Sequence, residues 1–425
     1  MVKREIHKLV LIVLSVFLGH SMVAQEPKSL SEIQNEYPFL LAEKGGMSYY
    51  GDTIYRDAFF QKLEELNLCG EGTVNISHFG GSHVQAGTLP RKIWKNLNLL
   101  YPPTNGAPGF LFPFNIGRTN NPRHYYSDSN ADWTKIRAAR PSDTARWGMS
   151  AITIYTHDTS GYVRMYNRDE DSAYWVFDRV RIFTPIGDTN FVITPDSSMG
   201  VISTRIDSAA GVIEWTLAEE KRELLFHWKK DSSKQRVIYL DGVQLLNSRP
   251  GIVFNAMGAN GNSTRSLIRS MEFDSQVPYL GTDLAIFGIG INDAHKPPEE
   301  FDVEEYKENY RKIIRALRKA NPNMAILFIT NNDSYYGRSP NPNALEVRRA
   351  MIDLAEEQGA WVFDLFEYMG GLRSSVIWYR QGLGKKDKIH FTPEGYQIQA
   401  DAMYQALEKD FFDYLRKQYP LQNKP

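Results

Sequence analysis

Thr73-Val74-Asn75-Ile76-Ser77-His78-Phe79-Gly80-Gly81-Ser82 starts as an apolar, β-branched run and ends on two glycines and a serine. The run predicts a strand over 73–79. The glycines predict a sharp turn that lifts the Ser82 hydroxyl out at the strand's carboxyl end. His83-Val84-Gln85 follows, and a helix is predicted over 89–99. Backbone N–H groups near Ser82 would then face any negative charge that develops there. Taken alone, Gly-Gly-Ser is also the composition of a plain loop.

Downstream the same alternation resumes. Strands are predicted over 252–257, 284–288, 325–330 and 361–366, with helices over 303–319 and 344–357 between them. Pro393 suits the first position of a last long helix. Alternating strands and helices predict a parallel sheet with helices on both faces, and a site beyond the carboxyl ends of its strands.

Three further motifs sit at such ends. Asn255-Ala256-Met257-Gly258-Ala259-Asn260-Gly261-Asn262-Ser263-Thr264 follows the second strand, and Gly261 offers an unobstructed backbone N–H. Its glycines do not make the spacing of a dinucleotide loop. Phe287-Gly288-Ile289-Gly290-Ile291-Asn292-Asp293 ends the third, where the Asn292 amide is placed to donate to an oxyanion or to make an Asx turn. Asp387-Lys388-Ile389-His390-Phe391-Thr392-Pro393 precedes the last helix. A carboxylate three residues before an imidazole can bond one ring nitrogen and leave the other free as a base. Tyr335 and Tyr336, after the fourth strand, are candidates either to line the cleft or to form a surface loop.

In this order, Ser82, Gly261, Asn292 and Asp387-x-x-His390 resemble the SGNH/GDSL hydrolase family. The resemblance covers 73–100 and 251–415. It implies a flavodoxin-like three-layer α/β fold and a serine esterase. Ser82 matches the nucleophile, Asp387 and His390 the orienting acid and the base. Gly261 and Asn292 match the oxyanion donors, together with the Ser82 backbone N–H. The family's usual Gly-Asp-Ser reads Gly80-Gly81-Ser82 here.

Residues 120–248 have a different texture. Aromatic and β-branched runs over 151–155, 162–166, 174–183, 212–217, 224–229 and 237–240 alternate with turn sequences such as Asp158-Thr159-Ser160-Gly161 and Asp241-Gly242. They predict an all-β sandwich inserted into the α/β domain. The domain expectation is therefore a signal peptide over 1–24, a lead-in and first part of the hydrolase domain over 25–119, the β-sandwich over 120–248, and the second part over 249–420. This layout is similar to that of bacterial peptidoglycan O-acetylesterases, in which a jelly-roll module resembling carbohydrate-binding modules interrupts an SGNH domain. Trp133, Trp147, Tyr162, Tyr166, Tyr174, Trp175, Trp215 and Trp228 are the aromatic pool of the insert. Aromatics in sandwiches mostly pack inward, so none is nominated as a sugar-binding residue.

The N-terminus has Lys3, Arg4 and Lys8, an apolar run over 9–18 and Ala24 before Gln25. This is the pattern of a secretory signal, with a run too short for a comfortable membrane span. No stable membrane span is expected after its cleavage, and the expected location is the periplasm or cell surface. The single cysteine, Cys69, excludes an intramolecular disulfide. With 49 basic and 50 acidic side chains, the chain lacks the basic excess of a nucleic-acid partner. Its histidines form no zinc spacing, so no metal and no cofactor is expected. The function that the resemblance implies is removal of O-acetyl groups from peptidoglycan or another acetylated polysaccharide. The alternatives are an O-acetyltransferase using the same triad and a non-catalytic glycan-binding protein.

Overall fold

The computed structural model describes residues 26–100, 106–143, 146–169 and 174–420. The expected signal peptide, 1–24, lies outside the described residues. Six strands form the central sheet: β1 (Met47–Tyr50), β2 (Thr73–Gly80), β3 (Gly251–Gly258), β4 (Leu284–Gly288), β5 (Ala325–Ile329) and β6 (Ala360–Phe363). Their spatial order is β1-β6-β5-β4-β2-β3. The β2–β3, β2–β4, β4–β5 and β5–β6 pairings are parallel. The first parallel strand thus lies between the second and the third, so chain direction across the sheet reverses at β2. In open α/β sheets that reversal point opens a crevice at the carboxyl ends of the strands.

β4, β5 and β6 read as short continuous apolar runs because both faces are covered. Leu284 and Ile286 enter one core with Leu327, Trp361, Phe59, Ile93 and Met403. Ala285 and Phe287 point the other way, into a second core with Phe328, Tyr310 and Met351. The two-residue period of each strand therefore feeds two helical layers. On the second face, helix Val303–Ala320 buries Tyr306, Tyr310, Ile313, Ile314 and Leu317, a stripe at helical spacing. Asp302 caps its start by accepting from Glu305 N–H.

Two features depart from the sequence expectation. β1 adds an antiparallel edge to the parallel sheet through Met47↔Phe363 to Tyr50↔Ala360. Its four residues carry no periodic signal and are held by β6. The last parallel strand ends at Phe363, not 366, because Asp364 caps a short helix, Leu365–Tyr368.

Between β2 and β3 the chain builds antiparallel sheets of five, four and three strands. In the five-stranded sheet, Gly242–Leu246 pairs with Phe177–Phe183 on one side and Gly109–Leu111 on the other. Trp133, Trp147, Trp175, Trp215 and Trp228 are buried, whereas Tyr162, Tyr166 and Tyr174 are partly exposed. This second architecture shares one continuous core with the second face of the central sheet. No helix among the described residues is long and apolar enough to cross a membrane.

Candidate active site

Gly258, Gly80 and Gly288 stand in register at the carboxyl ends of β3, β2 and β4. Immediately beyond Gly80 the chain turns at Gly81 into a four-residue helix, Ser82–Gln85. Gly81 C=O takes Val84 N–H and Gln85 N–H, at 3.2 and 3.0 Å. Ser82 N–H occupies the first helical position, where a helix leaves its donors free.

The structure brings Ser82 and His390 together across 308 positions of sequence, with 2.6 Å between Oγ and Nε2. His390 Nδ1 lies 2.9 Å from Asp387 Oδ2. The other carboxylate oxygen accepts Ile389 N–H and His390 N–H, each at 2.9 Å. Lys388 takes a left-handed conformation, φ 59°, which closes this tight turn. Burial alone would raise the Asp387 carboxyl's pKa, but the two backbone donors and His390 outweigh it and hold the group below the usual carboxylate range. An ionised Asp387 fixes the Nδ1–H tautomer of His390. Nε2 is then free to accept the Ser82 proton.

The oxyanion candidates converge on the same end of the sheet. Asn292 Nδ2 donates to Asn262 C=O at 2.8 Å. Its second N–H remains for another acceptor. Gly261 adopts φ +86°, a conformation open to glycine and strained for other residues. Its neighbours are held on every side. Asn260 N–H bonds Gln85 Oε1 at 2.6 Å, and Asn262 N–H bonds Ala259 C=O at 3.0 Å. Gly261 N–H itself has no partner among the described residues. A site with a nucleophile, a base and three unspent N–H groups near one strand end has the chemistry of acyl transfer.

Several contributors escaped the sequence reading. Asp293, beside Asn292, is buried and accepts Thr264 N–H and Oγ–H, at 3.1 and 2.6 Å. It ties the Asn292 loop to the Gly261 loop. Burial pushes its carboxyl up to about 6. His83 Nδ1 lies 2.8 Å from Tyr396 Oη, and its ring sits 5.2 Å from that of His390. Asn332 Nδ2 donates to Ile389 C=O at 3.1 Å and braces the His390 turn. Of the two tyrosines that the sequence offered as cleft or surface residues, Tyr335 is half-buried, with Lys388 Nζ 4.1 Å above its ring, and Tyr336 is exposed. Asp293, His83 and Tyr396 lie in or beside the quoted motifs and Asn332 lies outside them, yet the types of all four fit ordinary loop and helix positions equally well.

Residues 239–398 match the model of the GDSL-like Lipase/Acylhydrolase family. Among solved structures, a peptidoglycan O-acetylesterase aligns over 86% of this chain and 99% of its own, at 19% identity and a TM-score of 0.68. At that identity the likeness establishes a shared fold. A GDSL-like lipase from Bacteroides thetaiotaomicron aligns over 38% of this chain and 77% of its own, at 18% identity and a TM-score of 0.30. An acetylxylan esterase from Geobacillus stearothermophilus covers 37% of this chain and 73% of its own, at 19% identity and a TM-score of 0.29. Among curated proteins, none matches the chain.

Proposed function

We propose that this chain, a carboxylic ester hydrolase of the GDSL-like acylhydrolase kind, is a secreted serine esterase that removes O-acetyl groups from peptidoglycan or a related polysaccharide. The observation that carries the reading is the continuous line Asp387–His390–Ser82, at 2.9 and 2.6 Å. His390 takes the Ser82 proton as Oγ attacks the acetyl carbonyl. Ser82 N–H, Gly261 N–H and the Asn292 amide hold the tetrahedral oxyanion. His390 then protonates the departing sugar oxygen, and water releases acetate from the acyl-serine by the same steps. Loss of one oxyanion donor typically costs about 2.7–4 kcal/mol in the barrier.

The polysaccharide substrate rests on the fold shared with a peptidoglycan O-acetylesterase, over nearly all of that chain. Secretion rests on the signal-like N-terminus. The segment 120–248 is proposed as the inserted module and 249–420 as the second part of the hydrolase domain. The test is acetate release from p-nitrophenyl acetate, O-acetylated peptidoglycan and acetylated xylan by wild type and Ser82→Ala. Ser82-dependent release with a preference for peptidoglycan is expected. Equal release by both proteins would remove Ser82 from the reaction, and a preference for xylan would replace the substrate.

A further inference from the structure

We infer that Arg137, a residue of the inserted β segment, is a positioning residue that aims the Gly261 N–H at the oxyanion. The inference rests on the proposed role of Gly261. Arg137 ends strand Thr134–Arg137 and is anchored there by Arg137 N–H on Asp143 Oδ2, at 2.8 Å. Its Nη1 donates to Asn260 C=O at 3.1 Å.

Asn260 C=O and Gly261 N–H are the two ends of one peptide group. That group is planar and trans, so its oxygen and its hydrogen point in opposite directions. Fixing the oxygen therefore fixes the direction of the donor. A charged donor on the carbonyl also polarises the amide and strengthens its N–H as a hydrogen-bond donor.

The insert contacts the neighbouring residues of the loop as well. Asn262 Nδ2 donates to Ser150 C=O at 3.1 Å. The Ala139 methyl lies 3.3 Å from where a Cβ on Gly261 would stand. From the hydrolase side, Gln85 holds Asn260 N–H with its Oε1 and Asn120 C=O with its Nε2, the latter at 2.7 Å. The loop is thus clamped between the nucleophile's helix and the inserted sheets. The insert completes the catalytic site in addition to any part it has in holding a polymer.

The test compares Arg137→Met, Arg137→Gln and Arg137→Lys with wild type and Ser82→Ala in the full chain. p-Nitrophenyl acetate is the substrate, because it is too small to need a polymer site. For Arg137→Met, kcat is expected to fall about tenfold with KM within about twofold. Arg137→Lys should recover most of that loss and Arg137→Gln part of it. Methylboronic acid, whose adduct with Ser82 places an anionic oxygen in the hole, should lose affinity in the same order. Should Arg137→Met fail to fold, the Lys and Gln variants carry the same ranking. Ser82-dependent hydrolysis with kcat unchanged in all three variants would overturn this inference and leave the esterase standing. A loss of kcat without a loss of boronate affinity would also overturn it. Hydrolysis that does not depend on Ser82 would overturn both.

Discussion

A Cβ built on Gly81 would lie 2.9 Å from Nδ2 of Asn292. Gly81, which stands where the hydrolases that this chain resembles usually have aspartate, is therefore the residue against which the Asn292 amide, the proposed oxyanion donor, packs. In this chain the missing side chain is part of the site's geometry. A larger residue at 81 would displace the end of the Asn292 side chain, straining its 2.8 Å bond to Asn262 C=O, before it disturbed the backbone.

Gly81→Ala is accordingly expected to act on turnover more than on stability. The added methyl shifts the Asn292 amide by a few tenths of an ångström and lengthens its bond to the oxyanion. kcat should fall about tenfold, with the melting temperature within about 2 °C of wild type. Gly81→Asp, which introduces the residue usual in the hydrolases that this chain resembles, should be no better than alanine. Steady-state kinetics of both variants on p-nitrophenyl acetate check this, and an aspartate variant faster than wild type would refute it.

Asp387→Asn preserves shape and the acceptor for Ile389 N–H and His390 N–H. It changes the partner of His390 Nδ1, since an amide N–H cannot accept from Nδ1–H. The imidazole is then drawn into the tautomer whose Nε2 carries the proton, and Ser82 loses its base. A loss of about 10²–10⁴ in kcat is expected, with little change in KM. Asp387→Ala removes the wrong-tautomer bias but also unties the turn, so it should lose activity and lower the melting temperature together. Comparing the two variants separates tautomer control from simple bracing.

Tyr396 links the chain neighbours of Ser82 and His390, the proposed nucleophile and base. Its hydroxyl bonds His83, next to Ser82, and its ring packs 5.5 Å from that of Phe391, next to His390. Tyr396→Phe keeps the packing and removes one hydrogen bond, a change of about 0.5–1.5 kcal/mol. If the bond holds the Ser82–His390 distance, that energy is read as a fall of about twofold to tenfold in kcat at constant KM. A variant with unchanged kcat would make Tyr396 a packing residue only.

The legible part of this chain was what depends on local pattern. The apolar runs of β2 to β6 and the apolar spacing of helix Val303–Ala320 report burial directly, so the strands and helices of the α/β part could be placed to within a few residues. Ser82, Gly261 and Asn292 were nominated because their motifs stand at strand ends; Asp387 and His390 were nominated for their three-residue spacing just before the last helix, and the structure places them in the loop between helices Ser374–Arg380 and Pro393–Gln418, not at a strand end. β1 escaped because a four-residue edge strand takes its order from its partner. Arg137 escaped for a related reason. Its contact with Asn260 joins positions 123 residues apart, and an arginine on a β-strand carries no mark of what it will reach. The burial of five tryptophans followed the general rule for sandwiches, and their partners did not.

His78 gives the fold a pH dependence whose sign follows from burial. It sits in the middle of the sheet on β2, with about 1% of its surface exposed and no partner for Nδ1. Burial pushes its imidazole down from the ordinary value near 6.5 to about 3. In the unfolded chain the group regains its ordinary affinity for protons. Below pH 6.5 the unfolded state therefore binds a proton that the folded state refuses. Stability from this residue is complete above pH 6.5 and is lost as pH falls toward 3, at up to about 1.4 kcal/mol per pH unit. Between pH 6.5 and 5 the loss amounts to about 2 kcal/mol. His78→Leu, of similar volume and without a titrating group, should remove that part of the slope. Urea unfolding of both proteins at pH 7.5, 6.5 and 5 measures it. Parallel stability curves would mean that His78 is reached by water or takes up its proton within the fold, and the buried, neutral imidazole would have to be abandoned.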